Sequence, residues 1–135
     1  MNTDPNPTIV IIEGQPLSLT AFSATLAAEG MNVLAEVQES AQAIQTIQRL
    51  RPRLTLFSVG SPALPDLERI SALRHELPNV MILALMNDDF PGLARMALDY
   101  GAHRVLARTT PRTELISALR ELAQETISIS FKKEA

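Results

Sequence analysis

Short apolar runs alternate with longer amphipathic segments five times along the chain. Each run spans five to seven residues. Several runs carry no polar residues between the apolar ones, as is typical of parallel strands that are covered by helices on both faces. We therefore predict five strands, over Thr8–Ile12, Asn32–Val37, Arg53–Val59, Val80–Met86 and His103–Ala107.

The segments that follow these runs predict helices, because their apolar residues recur three and four positions apart. The first four end at Gly30, Pro52, Pro78 and Gly101. Ser40 stands where it can cap the second helix, and Thr110-Pro111 can start the fifth. The predicted buried positions are Leu19, Phe22 and Leu26; Ala43, Ile44, Ile47 and Leu50; Leu67, Ile70, Leu73 and Leu77; Leu93, Met96, Ala97 and Tyr100; and Leu115, Ile116, Leu119 and Leu122.

Five strand–helix units of this length predict an α/β fold, with a doubly wound parallel sheet and right-handed crossovers. For a small chain we expect the flavodoxin-like (βα)5 arrangement with strand order 2-1-3-4-5. The ligand crevice of that arrangement lies beside the carboxyl ends of the first and third strands. Glu13 and Ser58 follow or end these two strands, so we expect them to lie close together.

The length of 135 residues fits one domain with its own core and is too short for two. We assign residues 1–124 to this domain and residues 125–135 to a C-terminal tail. Residues 126–131 of the tail alternate apolar and polar side chains. This pattern predicts an additional edge strand, a docking segment or a linker.

Composition narrows the class of protein. The chain is 46% hydrophobic and 20% charged, with a net charge of −3, so it has no general electrostatic attraction to nucleic acid. It contains no cysteine, which excludes disulfides and thiolate chemistry. It shows neither a signal-peptide pattern nor the run of ~18 apolar residues that a membrane span needs. We expect a soluble cytoplasmic domain that contacts neither DNA nor a membrane.

Five phrases, in order and at matching spacing, resemble the receiver domain of bacterial response regulators, especially those that precede helix-turn-helix output domains. Ile11-Ile-Glu-Gly-Gln-Pro16 is similar to the end of the family's first strand, and Leu50-Arg-Pro-Arg-Leu-Thr-Leu-Phe-Ser58 to its "RPDLVLLD" phrase. Ser61-Pro62 stands where methionine-proline is usual. Met96-Ala-Leu-Asp-Tyr-Gly-Ala102 resembles "RALEAGA", and Pro111-Arg-Thr-Glu-Leu115 resembles "PEEL".

The resemblance implies which residues occupy the family's phosphorylation site. The acceptor aspartate of the third strand corresponds to Ser58, and the two acidic residues that hold Mg²⁺ correspond to Glu13 and Gly14. The contacting lysine corresponds to Arg108. In the family, a threonine or serine of the fourth strand changes rotamer on phosphorylation. This position corresponds to Leu85 or, with another placement of the gap, to Ala84. The aromatic residue of the fifth strand that also switches corresponds to Val105.

These substitutions remove the chemistry that the family uses. A serine hydroxyl is a weak nucleophile unless a base activates it, and Mg²⁺ favours carboxylate oxygens. Glu13 is the one anionic ligand of the set that the sequence keeps. We therefore predict a pseudo-receiver without a metal or cofactor, in which Glu13 pairs with Arg108 and Ser58 bonds to one of them.

An enzyme centred on Ser58 is disfavoured. Phe57-Ser58-Val59-Gly60 lacks the glycine two residues before the serine that a nucleophile elbow needs. His75 and His103 are expected at the surface, away from Ser58.

We instead expect a regulatory module of two-component signalling that binds a protein partner or forms a homodimer. Its expected interaction face carries Arg95, Asp99, Arg104, Arg112 and Arg120, and a homodimer through the first and last helices is an alternative. Two other functions stay open. One is the regulatory half of a transcription factor, and the other is a small-ligand sensor that uses the same crevice.

Overall fold

The computed structural model describes residues 6–87 and 92–134, and it describes side chains as far as residue 125. Within these ranges the chain forms a five-stranded parallel sheet of order β2-β1-β3-β4-β5, which confirms the predicted fold class. The elements are β1 (Thr8–Ile12), α1 (Pro16–Ala28), β2 (Asn32–Val37), α2 (Ala43–Leu50), β3 (Leu54–Ser58), α3 (Leu64–Glu76), β4 (Met81–Met86), α4 (Leu93–Asp99), β5 (Arg104–Ala107) and α5 (Arg112–Glu134).

Alternate residues of the central strands point to opposite faces of the sheet, and each face has its own core. Ile9 and Ile11 of β1 pack on one face with apolar residues of α1 and α5. Val10 and Ile12 pack on the other face with residues of α2, α3 and α4. Because both faces of the central strands are covered, β1, β3 and β4 are mostly apolar and buried, which makes them recognisable in the sequence.

The structure shortens three of the predicted strands by one or two residues. Arg53, Val59, Val80 and His103 lie just outside β3, β4 and β5. Arg53, Val59 and His103 nevertheless form backbone hydrogen bonds along the sheet; Val59 N–H, for example, donates to Leu85 O at 2.9 Å. Val80 N–H instead donates to Leu77 O, just after α3. These differences concern only the strand ends.

Of the three alternatives for the tail, an edge strand, a docking segment or a linker, the edge strand is wrong. The backbone of α5 continues as a helix to Glu134, so residues 126–131 do not pair with the sheet. The physical reason is visible in the sequence, because no glycine or proline follows Pro111 to stop the helix. The assignment of residues 1–124 as the domain stays a prediction.

Two glycines that we predicted as helix stops adopt the left-handed conformation. Gly30 has φ 88° and Gly101 has φ 121°. Gly101 is also tightly packed, since a Cβ atom there would lie 2.8 Å from Cβ of Arg74. Glycine at this position therefore fixes both the end of α4 and the start of β5.

Candidate functional site

A polar cleft lies at the carboxyl ends of the strands. Its volume is about 340 Å³. The residues that line it are Ile12, Glu13, Gly14, Gln15, Gln38, Ser40, Ser58, Val59, Gly60, Ser61, Asp66, Asn87 and Arg108. Four of the six phosphorylation-site positions predicted from the sequence, Glu13, Gly14, Ser58 and Arg108, are thus brought together here.

Glu13 is the buried centre of this cleft. It follows β1, where its backbone N–H donates to Val37 O at 2.9 Å, and it is only 2% exposed. Its Oε2 accepts the Gln15 backbone N–H at 2.9 Å. Its Oε1 accepts two hydrogen bonds, from Ser58 Oγ at 2.6 Å and from Arg108 Nη1 at 2.8 Å.

Arg108 supplies the charge that compensates Glu13. It follows β5, and its backbone N–H donates to Met86 O at 2.9 Å. The guanidinium reaches across the sheet edge to Glu13 and also lies 3.4 Å from Ser18 Oγ in α1. The predicted pairing of Glu13 with Arg108, with Ser58 bonded to one of them, is confirmed.

Such an arrangement satisfies a buried charge, which would otherwise be costly to remove from water. Charge-assisted hydrogen bonds of this kind are about twice as strong as neutral ones. Oε1 of Glu13 accepts from Arg108 as well as from Ser58, so the guanidinium compensates the carboxylate charge beside the hydroxyl. The contact orients Ser58 toward Glu13.

Gly14 has no steric reason to be glycine. Its φ does not lie in the left-handed region, and a Cβ added there would meet Gln38 O at 3.9 Å, an ordinary contact distance. A larger residue would therefore fit the backbone. Backbone conformation therefore does not explain why Gly14 stands where the family resemblance places a second acidic residue.

The donor set does not fit Mg²⁺, the ion that the family resemblance implies. That ion needs oxygen ligands in near-octahedral geometry, and its protein ligands are usually carboxylates. Among the residues that the structure describes, Glu13 is the one carboxylate directly at the strand ends; it is bonded to a guanidinium, and its neighbours are a glycine and a serine. Within residues 6–87 and 92–125, no three acidic, histidine or cysteine side chains group closely enough to hold an ion.

Asp66 is a second buried carboxylate of the cleft, and sequence reasoning missed it. It lies in the first turn of α3. Its Oδ2 accepts the Gly60 N–H at 2.8 Å, and its Oδ1 accepts Ser40 Oγ at 2.6 Å and lies 3.2 Å from Arg69 Nη1. The sequence does place an acidic residue directly after Pro65, at the start of an apolar helical pattern. That position indicates the first turn of a helix, but it does not indicate the contacts with Ser40 and Gly60.

The expectation that Ser40 caps α2 is wrong. Ser40 begins a 3₁₀ turn over Ser40–Gln42, and α2 starts only after it, with no side-chain cap on Gln42. The Ser40 hydroxyl donates to Asp66 because that buried carboxylate is a stronger acceptor than any local alternative.

The two predicted switch positions belong to the hydrophobic core. Leu85 pairs with Ser58 in the β3–β4 register and is 1% exposed, packed on the α1 and α5 side. Val105 pairs with Ala84 and packs against the core on the other face of the sheet. Neither side chain can donate a hydrogen bond to a group in the cleft.

The predicted interaction face splits in two. Arg95 pairs with Asp99 along α4, and Arg104 pairs with Glu121 and Glu125 of α5. Arg120 instead reaches the end of α1, where it donates to Glu29 O at 2.6 Å. It therefore lies on the α1 side of α5, apart from the α4–β5 side, and the positive charge of Arg95, Arg104 and Arg120 is partly neutralised within the chain.

The expectation of two surface histidines holds for His75 and is wrong for His103. His75 is exposed on α3, whereas His103 is half-buried. His103 Nδ1 accepts the Ile82 N–H at 3.0 Å, and its backbone N–H donates to Ile82 O. Neither histidine lines the cleft, so neither serves as a base for Ser58.

Burial of the ring, and next the positive charge of Arg74, lower the pKa of His103 from 6.5 to about 4. Between these two pH values the unfolded chain binds the proton more readily than the folded chain, so folding is less favourable as pH falls. We expect His103 to lower the free energy of unfolding by about 1–2 kcal/mol as pH falls from ~7 to ~4. This is less than the full shift in pKa would give, because the ring is partly solvated.

Urea unfolding across that pH range measures this effect. His103→Asn keeps an acceptor near Ile82 but does not titrate, so its stability should fall less steeply with acid than that of the unaltered protein. His75→Asn is the exposed control and should keep the original slope. Equal slopes for all three proteins would contradict the burial of His103.

Fold and site together define a class: a small flavodoxin-like α/β domain with a charged cleft at the carboxyl ends of β1, β3 and β5. The family model of the response regulator receiver domain matches residues 9–120. The chain belongs to the response regulator receiver family.

Several relatives support this assignment. The chain is 25% identical over 112 residues to the DNA-binding transcriptional activator EvgA of Escherichia coli K12, covering 82% of this chain and 54% of EvgA. It is 27% identical over 118 residues to the probable transcriptional regulatory protein NarL of Mycobacterium tuberculosis H37Rv, covering 86% and 54%. The solved receiver domain of that NarL superposes with a TM-score of 0.80 at 25% identity, covering 90% of this chain and 98% of the other.

This chain spans about half the length of the curated relatives that it matches. It corresponds to the receiver domain of a bacterial two-component response regulator. Receiver domains of this family are regulatory domains. No helix within residues 6–87 and 92–134 is long and apolar enough to cross a membrane.

Proposed function

We propose that this receiver domain works without being phosphorylated, as a pseudo-receiver that regulates through protein contacts and is not itself an enzyme. The observation that carries this proposal is the bonding of Glu13. One of its oxygens accepts both the Ser58 hydroxyl and the Arg108 guanidinium, at 2.6 and 2.8 Å. The groups that would have to serve phosphoryl transfer are thus already bonded to each other.

The chemistry of phosphoryl transfer supports the same conclusion. The reaction depends on positioning and on neutralising the charge of the transferred group, which metal ions usually provide. Here Ser58 is the residue at the acceptor position, and the Glu13 carboxylate has its charge compensated by Arg108. A cation entering the cleft would be repelled by that guanidinium.

The same contacts favour a single arrangement of the loops around the cleft. Arg108 joins the end of β5 to Glu13 after β1 and to Ser18 in α1. A two-state switch needs a bistable element whose balance a signal can bias. An internal ion pair that is always present holds one state, so the domain would present a constant surface to its partner.

We propose a protein as the partner, either another chain or a second copy of this one, in the bacterial cytoplasm and without contact to DNA or membrane by this domain. The α4–β5 side carries Arg95, Asp99 and Arg104. The α1–α5 side carries Arg120, which bonds to Glu29, and Arg112, which lines a pocket with Ser18, Ala21 and Phe22 of α1. Met96 and Leu98 on α4 add apolar groups that are 42% and 45% exposed. Mixed charge around exposed apolar residues is a common composition for a transient interface.

A second candidate function is the regulatory half of a transcription factor. The relatives favour it, since EvgA is a DNA-binding transcriptional activator and NarL a probable transcriptional regulatory protein. Sequencing the gene past the codon for Ala135 tests this candidate. A helix-turn-helix domain in the same frame would support it, and a stop codon would exclude it.

Incubation with acetyl phosphate and Mg²⁺ tests the proposed function, with intact-protein mass spectrometry as the measurement. We expect no mass increment, because a serine hydroxyl is a weak nucleophile and the carboxylate that it contacts is already compensated by Arg108. A receiver that carries the usual aspartate and acidic pair serves as the positive control under the same conditions. A phosphoryl adduct on this chain would refute the proposal.

A further inference from the structure

Asp66 is surrounded by hydrogen-bond donors from three parts of the chain. The Gly60 N–H comes from the segment after β3, the Ser40 hydroxyl from the segment after β2, and the Arg69 guanidinium from α3. Their distances to the carboxylate are 2.8, 2.6 and 3.2 Å. Arg69 Nη1 also lies 3.1 Å from Ser40 Oγ, so the donors contact each other as well as the carboxylate.

A backbone N–H, a hydroxyl and a guanidinium that converge on one point are the donors with which proteins bind oxyanions such as phosphate. The fit around the carboxylate is close, since a Cβ atom on Gly60 would lie 3.3 Å from Asp66 Oδ2. Gly60, Ser40 and Asp66 all line the polar cleft. The cleft therefore contains an oxyanion-binding donor set that is filled by a carboxylate of the chain.

We propose that Asp66 is an internal anion that keeps this donor set closed to external oxyanions, which makes it an autoinhibitory contact within the cleft. This inference rests on the proposed function and extends it to the second wall of the cleft. Arg108 pairs with Glu13, the carboxylate that would attract a cation. Asp66 accepts from Gly60, Ser40 and Arg69, the donors that would attract an anion. Among the residues described at the cleft, the charges of Glu13, Arg108 and Asp66 are thus paired within the chain and are not presented to a phosphorylated ligand.

A simpler role for Asp66 is that of a carboxylate at the start of α3, where it interacts favourably with the helix dipole. That role alone would make removal of the carboxylate destabilising, but it would not create a phosphate site beside Gly60. The hydroxyl of Ser40 and the guanidinium of Arg69 are not needed for it. Phosphate binding by variants without the carboxylate therefore separates the two roles.

The experiment is a titration with sodium orthophosphate at constant ionic strength and without Mg²⁺, followed by amide NMR. In Asp66→Ala we expect the Gly60 amide to shift saturably, with an affinity about 10-fold or more above that of the unaltered protein. Asp66→Asn keeps the side-chain shape but loses the charge, and it should gain affinity in the same direction by a smaller factor. If the alanine variant does not fold, the asparagine variant decides the result.

Two control variants show whether the gain arises at this donor set. Glu68→Gln removes one negative charge from the exposed side of the same helix and should leave phosphate affinity unchanged. Adding Arg69→Gln to either Asp66 variant should abolish the gain. The proposal is overturned if neither Asp66 variant binds phosphate more tightly, or if Glu68→Gln gains as much.

The phosphate titration and the acetyl phosphate experiment can fail separately. Phosphorylation by acetyl phosphate would refute the phosphorylation-independent role while leaving the phosphate affinities of the Asp66 variants as they are. Conversely, if neither Asp66 variant gains phosphate affinity, the internal-anion role is refuted, while the result with acetyl phosphate is unaffected.

Discussion

Arg108→Ala is expected to lower the free energy of unfolding by about 3–5 kcal/mol, because it leaves the buried Glu13 carboxylate without its compensating charge. Glu13 is 2% exposed and the arginine side chain 19%, so water cannot replace the lost contact fully. Urea unfolding followed by circular dichroism measures the change.

The matched control is Arg95→Ala, which breaks the exposed Arg95–Asp99 pair of α4. Its side chains are 80% and 64% exposed, and such pairs contribute about 0–1 kcal/mol. Adding Glu13→Gln to Arg108→Ala should recover a large part of the lost stability, since it removes the uncompensated charge. An Arg108→Ala effect no larger than that of Arg95→Ala would show that the buried pair does not hold the cleft together.

The double substitution Gly14→Asp with Ser58→Asp is expected to create Mg²⁺ binding, which we predict that the unaltered chain does not show. It would place three carboxylates at the ends of β1 and β3, the hard oxygen ligands that this ion prefers. The space beside Gly14 admits a side chain, since the nearest atom to an added Cβ is 3.9 Å away. At a Mg²⁺ concentration 100 times the dissociation constant, binding should raise the free energy of unfolding by about 2.7 kcal/mol.

The control for this variant is Gly14→Asn with Ser58→Asn, which has side chains of similar size but no added charge. Its stability should not depend on Mg²⁺, and neither should that of the unaltered protein. A folded aspartate variant that shows no response to Mg²⁺ would mean that the absent carboxylates are not what prevents metal binding here.

The central strands β1, β3 and β4 were predictable because they are mostly apolar runs that both layers of helices cover. β2 and β5 are less buried and were predicted from their shorter apolar runs. β1 and β2 begin and end at the predicted residues, and the other three differ by one or two residues at their ends. Strand ends depend on which backbone groups finally pair, and side-chain hydrophobicity does not report this. His103 illustrates the point, because it lies outside β5 yet bonds to Ile82 through both backbone and side chain.

The pairing of Glu13 with Arg108 was predictable for a topological reason. All five strands are parallel, so β1 and β5 both end at the carboxyl side of the sheet. An unpaired charge there would be costly. The long arginine side chain bridges the distance between the two strands.

The role of Asp66 was not predictable in the same way. Its partners Ser40 and Gly60 are 26 and 6 residues away in sequence, in segments whose paths no periodic pattern describes. The sequence predicts Ser40 as a helix cap because it shows only the partners that are near in the chain, whereas the Asp66 carboxylate is distant. In the tail, six residues alternate as in a strand, but no glycine or proline after Pro111 ends the helix. The helix therefore continues through the alternating residues.

The central claim is that the phosphorylation site is satisfied by the chain's own side chains. Amide NMR of the unaltered protein with Mg²⁺ and beryllofluoride, a mimic of the phosphoryl group, tests it most directly. The account predicts unchanged resonances at Glu13, Ser58 and Arg108. A saturable shift centred on these three residues would contradict it.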